Sequence, residues 1–232
     1  MAPSPADATA APRKPRRDLI LRIVSALVLA PLVLLATWRG FPLFDLMLAI
    51  GVVLAWREWR KLVGGWQRPV LLLSGAAYVA LVALSLLSVR HQPETGLQAM
   101  LWLLATVWAT DIFAYAAGRS IGGPRLAPRL SPKKTWSGAL GGLAAALLVG
   151  ACTAWFFTGG SAIGLAMAGG LLSLVSQFGD LAESAVKRHV GVKDSGQLIP
   201  GHGGLLDRID ALMAASVAMA AIRLAGDARW PW

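Results

Sequence analysis

Seven apolar stretches, each close to the ~20 residues that cross the hydrocarbon core of a bilayer, take up most of this chain and leave few folds open to it. They fall at about residues 19–38, 41–56, 70–89, 97–118, 136–157, 161–186 and 205–224, the second being short. Backbone immersed in hydrocarbon must satisfy its own N–H and C=O groups, so runs of this length read as helices. The expected fold is all-α, a polytopic transmembrane helix bundle of about seven spans with its N-terminus in the cytosol. Charged residues make up only 15% of the 232 residues, against roughly 25% in soluble domains, and mean hydropathy is +0.60. Cys152, inside an apolar run, is the single cysteine; it excludes a disulfide framework or a thiolate metal site within one chain and reads as a packing residue.

The organisation follows from where the polar residues collect. Residues 1–18, rich in Ala, Pro and Arg, read as a disordered basic tail. Residues 19–96 read as an N-terminal region of three spans and 97–232 as a catalytic region of four. Arg16 and Arg17 precede an apolar run as in an export signal, but the run is long and reaches ATWRG without a small-residue cleavage site, so it reads as a retained span. The tail, the segment with Arg57, Arg60, Lys61 and Arg68, and the segment with Arg119, Arg125, Arg129, Lys133 and Lys134 alternate with loops carrying only Arg39, Arg90 or, at the far end, Arg223 and Arg229. The positive-inside rule therefore puts the N-terminus in the cytosol and the C-terminus outside. It also accounts for the net charge of +10 without a nucleic-acid partner. The tail and the Arg57 to Arg68 segment carry this bias with no other site-like residues.

One block departs from that economy of charge. Residues 184–210, SAVKRHVGVKDSGQLIPGHGGLLDRID, hold both signs densely between apolar helices, and ionisable residues in such a place mark a functional site. Asp180 and Glu183 are three apart, as are Asp207 and Asp210, so each pair projects from one helix face. Ser176, Ser184 and Lys187 continue the polar stripe. These carboxylates could merely pair with Lys187, Arg188 and Arg208 to close a bundle, but burying charge for structure alone is often no better than apolar packing. Oxygen donors without thiolates suit Mg²⁺, which takes one or two protein carboxylates and leaves other positions to water and phosphates. His91, His189 and His202 form no spaced zinc-ligand set. Lys187, Arg188, Lys193 and Arg208 can neutralise phosphate oxygens, so metal and cations together imply a phosphorylated substrate. Pro200, Gly201, Gly203 and Gly204 surround His202 and let backbone N–H groups approach an anion. His202 itself reads equally as a substrate contact or a turn residue.

A second segment points the same way. Asp111, Tyr115 and Arg119 share a helix face leading to the loop RLSPKKTWSG. Lys133 and Lys134 there can anchor to anionic headgroups or contact a nucleotide phosphate. Trp136 reads as an interfacial belt residue, and Gly138 with Gly142 as a helix-packing pair.

Residues 184–210 resemble the signature of the phosphatidate cytidylyltransferase family, the CDP-diacylglycerol synthases: a Ser, a Lys-Arg pair, a Lys-Asp pair, a Pro-x-His-Gly-Gly turn and an Asp-Arg-x-Asp ending, in register. GDLAES at 179–184, the segment 111–118 and SPKKTW are similar to the family as well. The chain is shorter than many bacterial members, and Ser137 stands where many carry Glu or Gln. The resemblance implies transfer of a cytidylyl group from CTP to phosphatidic acid, releasing pyrophosphate, with Mg²⁺ required. It places Asp180 and Asp207 first as metal ligands, with Glu183, Asp210, Asp194 and Asp111 behind them; Asp180, Asp207, Lys187 and Asp210 form the expected catalytic set. Arg188, Lys193, Asp194, His202, Gly203, Gly204, Arg208, Ser184, Lys133 and Lys134 are expected to bind substrate. A bacterial inner membrane is the expected location, with the site facing the cytoplasm and membrane lipid around it. A homodimer is compatible with such a chain. The competing readings are another membrane nucleotidyl- or phospho-transferase acting on a lipid phosphate and, further off, a transporter, although the charges gather at one face and no internal repeat is present.

Overall fold

A computed structural model describes residues 15–156, 161–196, 198 and 203–225. Among these residues seven long helices follow one another in the order α1 (Pro15–Arg39), α2 (Leu43–Val63), α3 (Pro69–Arg90), α4 (Gly96–Ser120), α5 (Trp136–Thr153), α6 (Ala162–His189) and α7 (Leu206–Ala225). Between α4 and α5 the chain forms an antiparallel hairpin of β1 (Arg125–Ala127) and β2 (Ser131–Thr135), with Arg125 opposite Thr135 and Ala127 opposite Ser131. The all-α membrane bundle stands, with this small hairpin where the sequence suggested a loop. Prolines and lysines carry no apolar alternation, so the strand pairing left no pattern to read.

The span count needs correction. Among the described residues, four helices, α3, α4, α5 and α6, are long and apolar enough to cross a membrane, not about seven. Within α1 the described side chains form an apolar helix over Leu27–Arg39, and the apolar run of the sequence begins earlier, at Leu19. Arg57, Glu58, Arg60 and Lys61 lie inside α2, which runs to Val63 instead of ending near residue 56. Asp207, Arg208, Asp210 and Arg223 likewise dilute α7. Of the expected tail, residues 1–14 lie outside the described residues and residues 15–18 open α1.

Small residues set the spacing of the bundle. A Cβ on Gly138 would come within 2.7 Å of the Ala114 carbonyl oxygen, and one on Gly142 within 2.8 Å of that of Thr110, so α5 lies directly on the α4 backbone as the glycine pair predicts. Gly150 and Gly169 do the same between α5 and α6. The core gathers Leu103 and Leu104 of α4, Leu165 and Leu172 of α6 and Met219 of α7, all fully buried. Leu27, Val70, Leu84, Leu148 and Ile163 face outward, as expected where hydrocarbon is the solvent. Cys152, expected to be a packing residue, is exposed on α5.

The helix α6 is longer than the hydrocarbon core of a bilayer. With 28 residues, α6 is ~42 Å long against a ~30 Å hydrocarbon core, which carries its last turns out to the interface. Those turns hold Lys187, Arg188 and His189.

Candidate functional site

At the hairpin end of the bundle, α2, α6, α7 and the hairpin bring their charges together. Lys134 on β2 reaches the Asp180 carboxylate on α6 at 2.5 Å. Arg188 Nε, in the last turn of α6, donates to the Leu130 carbonyl in the hairpin at 3.3 Å, and its Nη1 donates to the Val192 carbonyl at 3.1 Å. The SPKKTW segment and the residue 184–210 block, distant in sequence, are thus one surface. Ser137, the family departure, is occupied locally: its hydroxyl donates to the Gly122 carbonyl and meets Thr135 Oγ1 at 3.0 Å.

Beneath that surface lies a buried lysine. Lys187 Nζ donates to Glu183 Oε2 at 3.2 Å and to Asp207 Oδ1 at 2.6 Å, joining α6 to the first turn of α7. Each of the three side chains is about 10% exposed or less, so their charges are largely removed from water and each depends on the others. Asp207 Oδ2 is also engaged, accepting from the Ser195 N–H at 3.0 Å and the Gly204 N–H at 3.1 Å. Asp207 therefore accepts from one ammonium and two amides. It folds the loop back over the start of α7, where Gly203 adopts φ +88°, a conformation that favours glycine.

The remaining carboxylates are less well served. The Asp210 carboxyl lies against Glu183, with Asp180 its next acidic neighbour. Glu183 Oε1 is buried without a hydrogen-bond partner among the described residues. Asp111 on α4 has Asp180 and Lys134 as its charged neighbours. No three His, Cys, Asp or Glu side chains among the described residues converge on one metal position. The donors nonetheless fit Mg²⁺, a hard cation that needs only one or two carboxylates. The orphaned Glu183 oxygen beside Asp210 is the strongest sign of that fit, since Asp180 and Asp207 already hold lysines.

Among the other expected residues, Ser184 is buried on α6, while Arg188, Lys193, Asp194, Arg208 and Lys133 are exposed. Gly203 and Gly204 line the loop, and His202 lies outside the described residues. Arg119 Nη1 meets the Tyr115 hydroxyl at 3.3 Å on the exposed face of α4.

The sequence reading missed Glu58. Although the sequence reads Arg57 to Arg68 as a topology signal alone, Glu58 sits on α2 with 6% exposure, and its Oε2 accepts from the Leu206 N–H, the first amide of α7, at 2.7 Å. A buried acid amid Arg57, Arg60 and Lys61 was the available clue; the abundance of cations there disguised it.

Next to the charged centre a groove of about 460 Å³ opens between α2, α3, α6 and α7. Trp59, Tyr78, Val175, Phe178, Met213 and Val217 line it, and Glu183 and Asp210 are its acidic residues. One wall of the groove is thus shared with the carboxylate cluster.

Comparison with known proteins agrees with this geometry. Residues 65–225 match the cytidylyltransferase family. A phosphatidate cytidylyltransferase of Brucella abortus is 49% identical over 168 residues, covering 72% of this chain and 59% of that protein. One from Haemophilus influenzae is 47% identical over 131 residues, 54% of this chain and 45% of that protein, so the match spans about half the length of these relatives. One from Rickettsia felis is 34% identical over 210 residues, 86% of this chain and 90% of that protein. The resemblance read from residues 184–210 is borne out over most of the chain, which belongs to the cytidylyltransferase family.

Proposed function

We propose that this chain transfers a cytidylyl group from CTP to phosphatidic acid, forming CDP-diacylglycerol and pyrophosphate. The observation that carries the reading is the shared wall of Glu183 and Asp210, with phosphate-handling chemistry on one side and an apolar groove fit for an acyl chain on the other. A transporter would need its site near the bilayer midplane, whereas these charges lie at helix ends. The bacterial relatives and the Lys- and Arg-rich hairpin end support a bacterial inner membrane with the site facing the cytoplasm.

In the proposed reaction a phosphatidate oxygen attacks the α-phosphorus of CTP, the bond to the β-phosphate oxygen breaks, and pyrophosphate departs with that electron pair. The nucleophile is already ionised, so the protein's task is alignment and charge neutralisation. Arg188, Lys193, Lys133 and Arg208 are exposed and are assigned to the phosphates of CTP or the phosphatidate headgroup. Lys187 holds Glu183 and Asp207 in register. Glu183 and Asp210, with Asp180 beside them, are the carboxylates assigned to hold Mg²⁺; Asp207 is assigned the loop. When bound, Mg²⁺ would draw negative charge from the phosphate oxygens during transfer.

The test uses purified protein in detergent with phosphatidic acid, measuring pyrophosphate release from CTP with and without Mg²⁺, beside UTP and ATP. Lipid- and Mg²⁺-dependent release from CTP alone is expected. Equal release from UTP or ATP, or release that needs no lipid phosphate, would transfer the reading to another membrane transferase.

A further inference from the structure

Glu58 belongs to none of the groups given a role above, yet its surroundings are built around it. It lies on α2, outside the block at residues 184–210, and its Oε2 takes the Leu206 N–H. A Cβ added to Gly196 would overlap the Glu58 carboxylate, and one added to Gly204 would overlap both that carboxylate and Ser195 Oγ. Glycine at both positions lets the loop lie directly on the acid. Glu58 Oε1 and Ser195 Oγ are both buried with no hydrogen-bond partner among the described residues.

The same loop is held from its other side by Asp207, which accepts from the Ser195 and Gly204 amides. Ser195 and Gly204 therefore lie between two carboxylates, and the second of these carries Lys187 on its free oxygen. A carboxylate at the N-terminus of α7 also meets the unpaired amides and positive dipole end of that helix. Moving Glu58 would release the Leu206 amide and let the first turn of α7 shift, taking Asp207 and Lys187 with it.

We infer that Glu58 is a positioning residue for nucleotidyl transfer: by accepting from Leu206 and packing on Gly196 and Gly204, it sets the place of the α7 first turn and hence of Asp207 and Lys187. The inference rests on the proposed cytidylyl-transfer reading, because its effect is read in that reaction. Its role is that of an acceptor of fixed length, not of a proton carrier or a metal ligand. A glutamine keeps an oxygen for the Leu206 amide and offers its NH₂ to the orphaned Ser195 hydroxyl; an alanine does neither.

The experiment compares full-length parent, Glu58→Ala and Glu58→Gln in detergent, measuring kcat and KM for CTP together with thermal unfolding. Glu58→Ala is expected to lower kcat ~10²-fold, the size of effect that a misplacement of about an ångström produces, with little change in KM for CTP. Glu58→Gln is expected to restore most of that turnover. If the alanine variant fails to fold, an active glutamine variant still upholds the inference. Parental kcat in a folded Glu58→Ala overturns it, and so does an inactive Glu58→Gln, folded or not, because the charge itself would then be needed. An inactive parent would take down the cytidylyl-transfer reading together with this one, whereas an active parent beside an unaffected alanine variant removes this inference alone.

Discussion

The two ends of the bundle use charge in opposite ways. Away from the hairpin, cations close helix ends: Arg90 Nε donates to the Thr37 carbonyl at 2.7 Å and its Nη2 to that of Trp38 at 3.3 Å, at the end of α1. Arg223, 4% exposed, donates to the Ser88 and Val89 carbonyls at the end of α3, each at 3.3 Å. Asp45, at the start of α2, is matched by His91 at 3.0 Å. At the hairpin end, by contrast, Asp111, Asp180, Glu183, Asp207 and Asp210 crowd around Lys134 and Lys187, and Glu58 and Glu183 keep buried oxygens with no donor. Helix-end carbonyls need donors to fold in a membrane, so the first pattern is what stability alone requires. Uncompensated carboxylates cost stability and persist where a cationic ligand completes them.

That contrast can be broken by substitutions at each end. Lys187→Met strikes hardest, because it leaves Glu183 and Asp207 buried without their cation: a loss of about 3–5 kcal/mol is expected, with no turnover. Thermal unfolding and pyrophosphate release read the two effects. Asp210→Asn is expected to lower turnover at least ~10²-fold and to raise the Mg²⁺ concentration needed. Its unfolding midpoint should hold, since burial beside Glu183 already pushes the Asp210 carboxyl well above the usual carboxylate range and the amide removes no charge from the cluster; unchanged Mg²⁺ dependence would remove Asp210 from the metal assignment. At the opposite end, Arg223→Met is expected to cost about 1–3 kcal/mol of stability, with kcat per folded molecule unaltered. The smallest effect belongs to His91→Gln, where the half-exposed pair with Asp45 is worth less than ~1 kcal/mol and turnover stays at the parental value. A catalytic loss from either opposite-end variant would erase the distinction between the ends.

What could be read in advance followed helical spacing. The glycine pair at 138 and 142, the face of Asp111, Tyr115 and Arg119, and the stripe from Asp180 to Lys187 all repeat at three or four residues and lie where that repeat puts them. Spacing says which face a residue occupies but not what it meets. The capture of Asp180 by Lys134, and of Asp207 by Lys187 and two amides, depends on how α6 and α7 pack against their neighbours, which helical spacing does not encode. The span count erred where charged residues extend amphipathic helices beyond their apolar part, as at Arg57 to Lys61 in α2. There the same cations that marked membrane sidedness, Arg57, Arg60 and Lys61, also hid the acid that touches α7.

The bond from Glu58 to Leu206 joins groups 148 residues apart, and that separation has a consequence in time. A ribosome finishes α2 long before it starts α7, so for most of synthesis this carboxylate has no amide to receive and must stay hydrated or take up a proton. The arrival of the last helix dries and pairs it. A chain stopped before α7 therefore keeps an acidic group exposed at the membrane surface, a chemical mark by which unfinished molecules differ from finished ones.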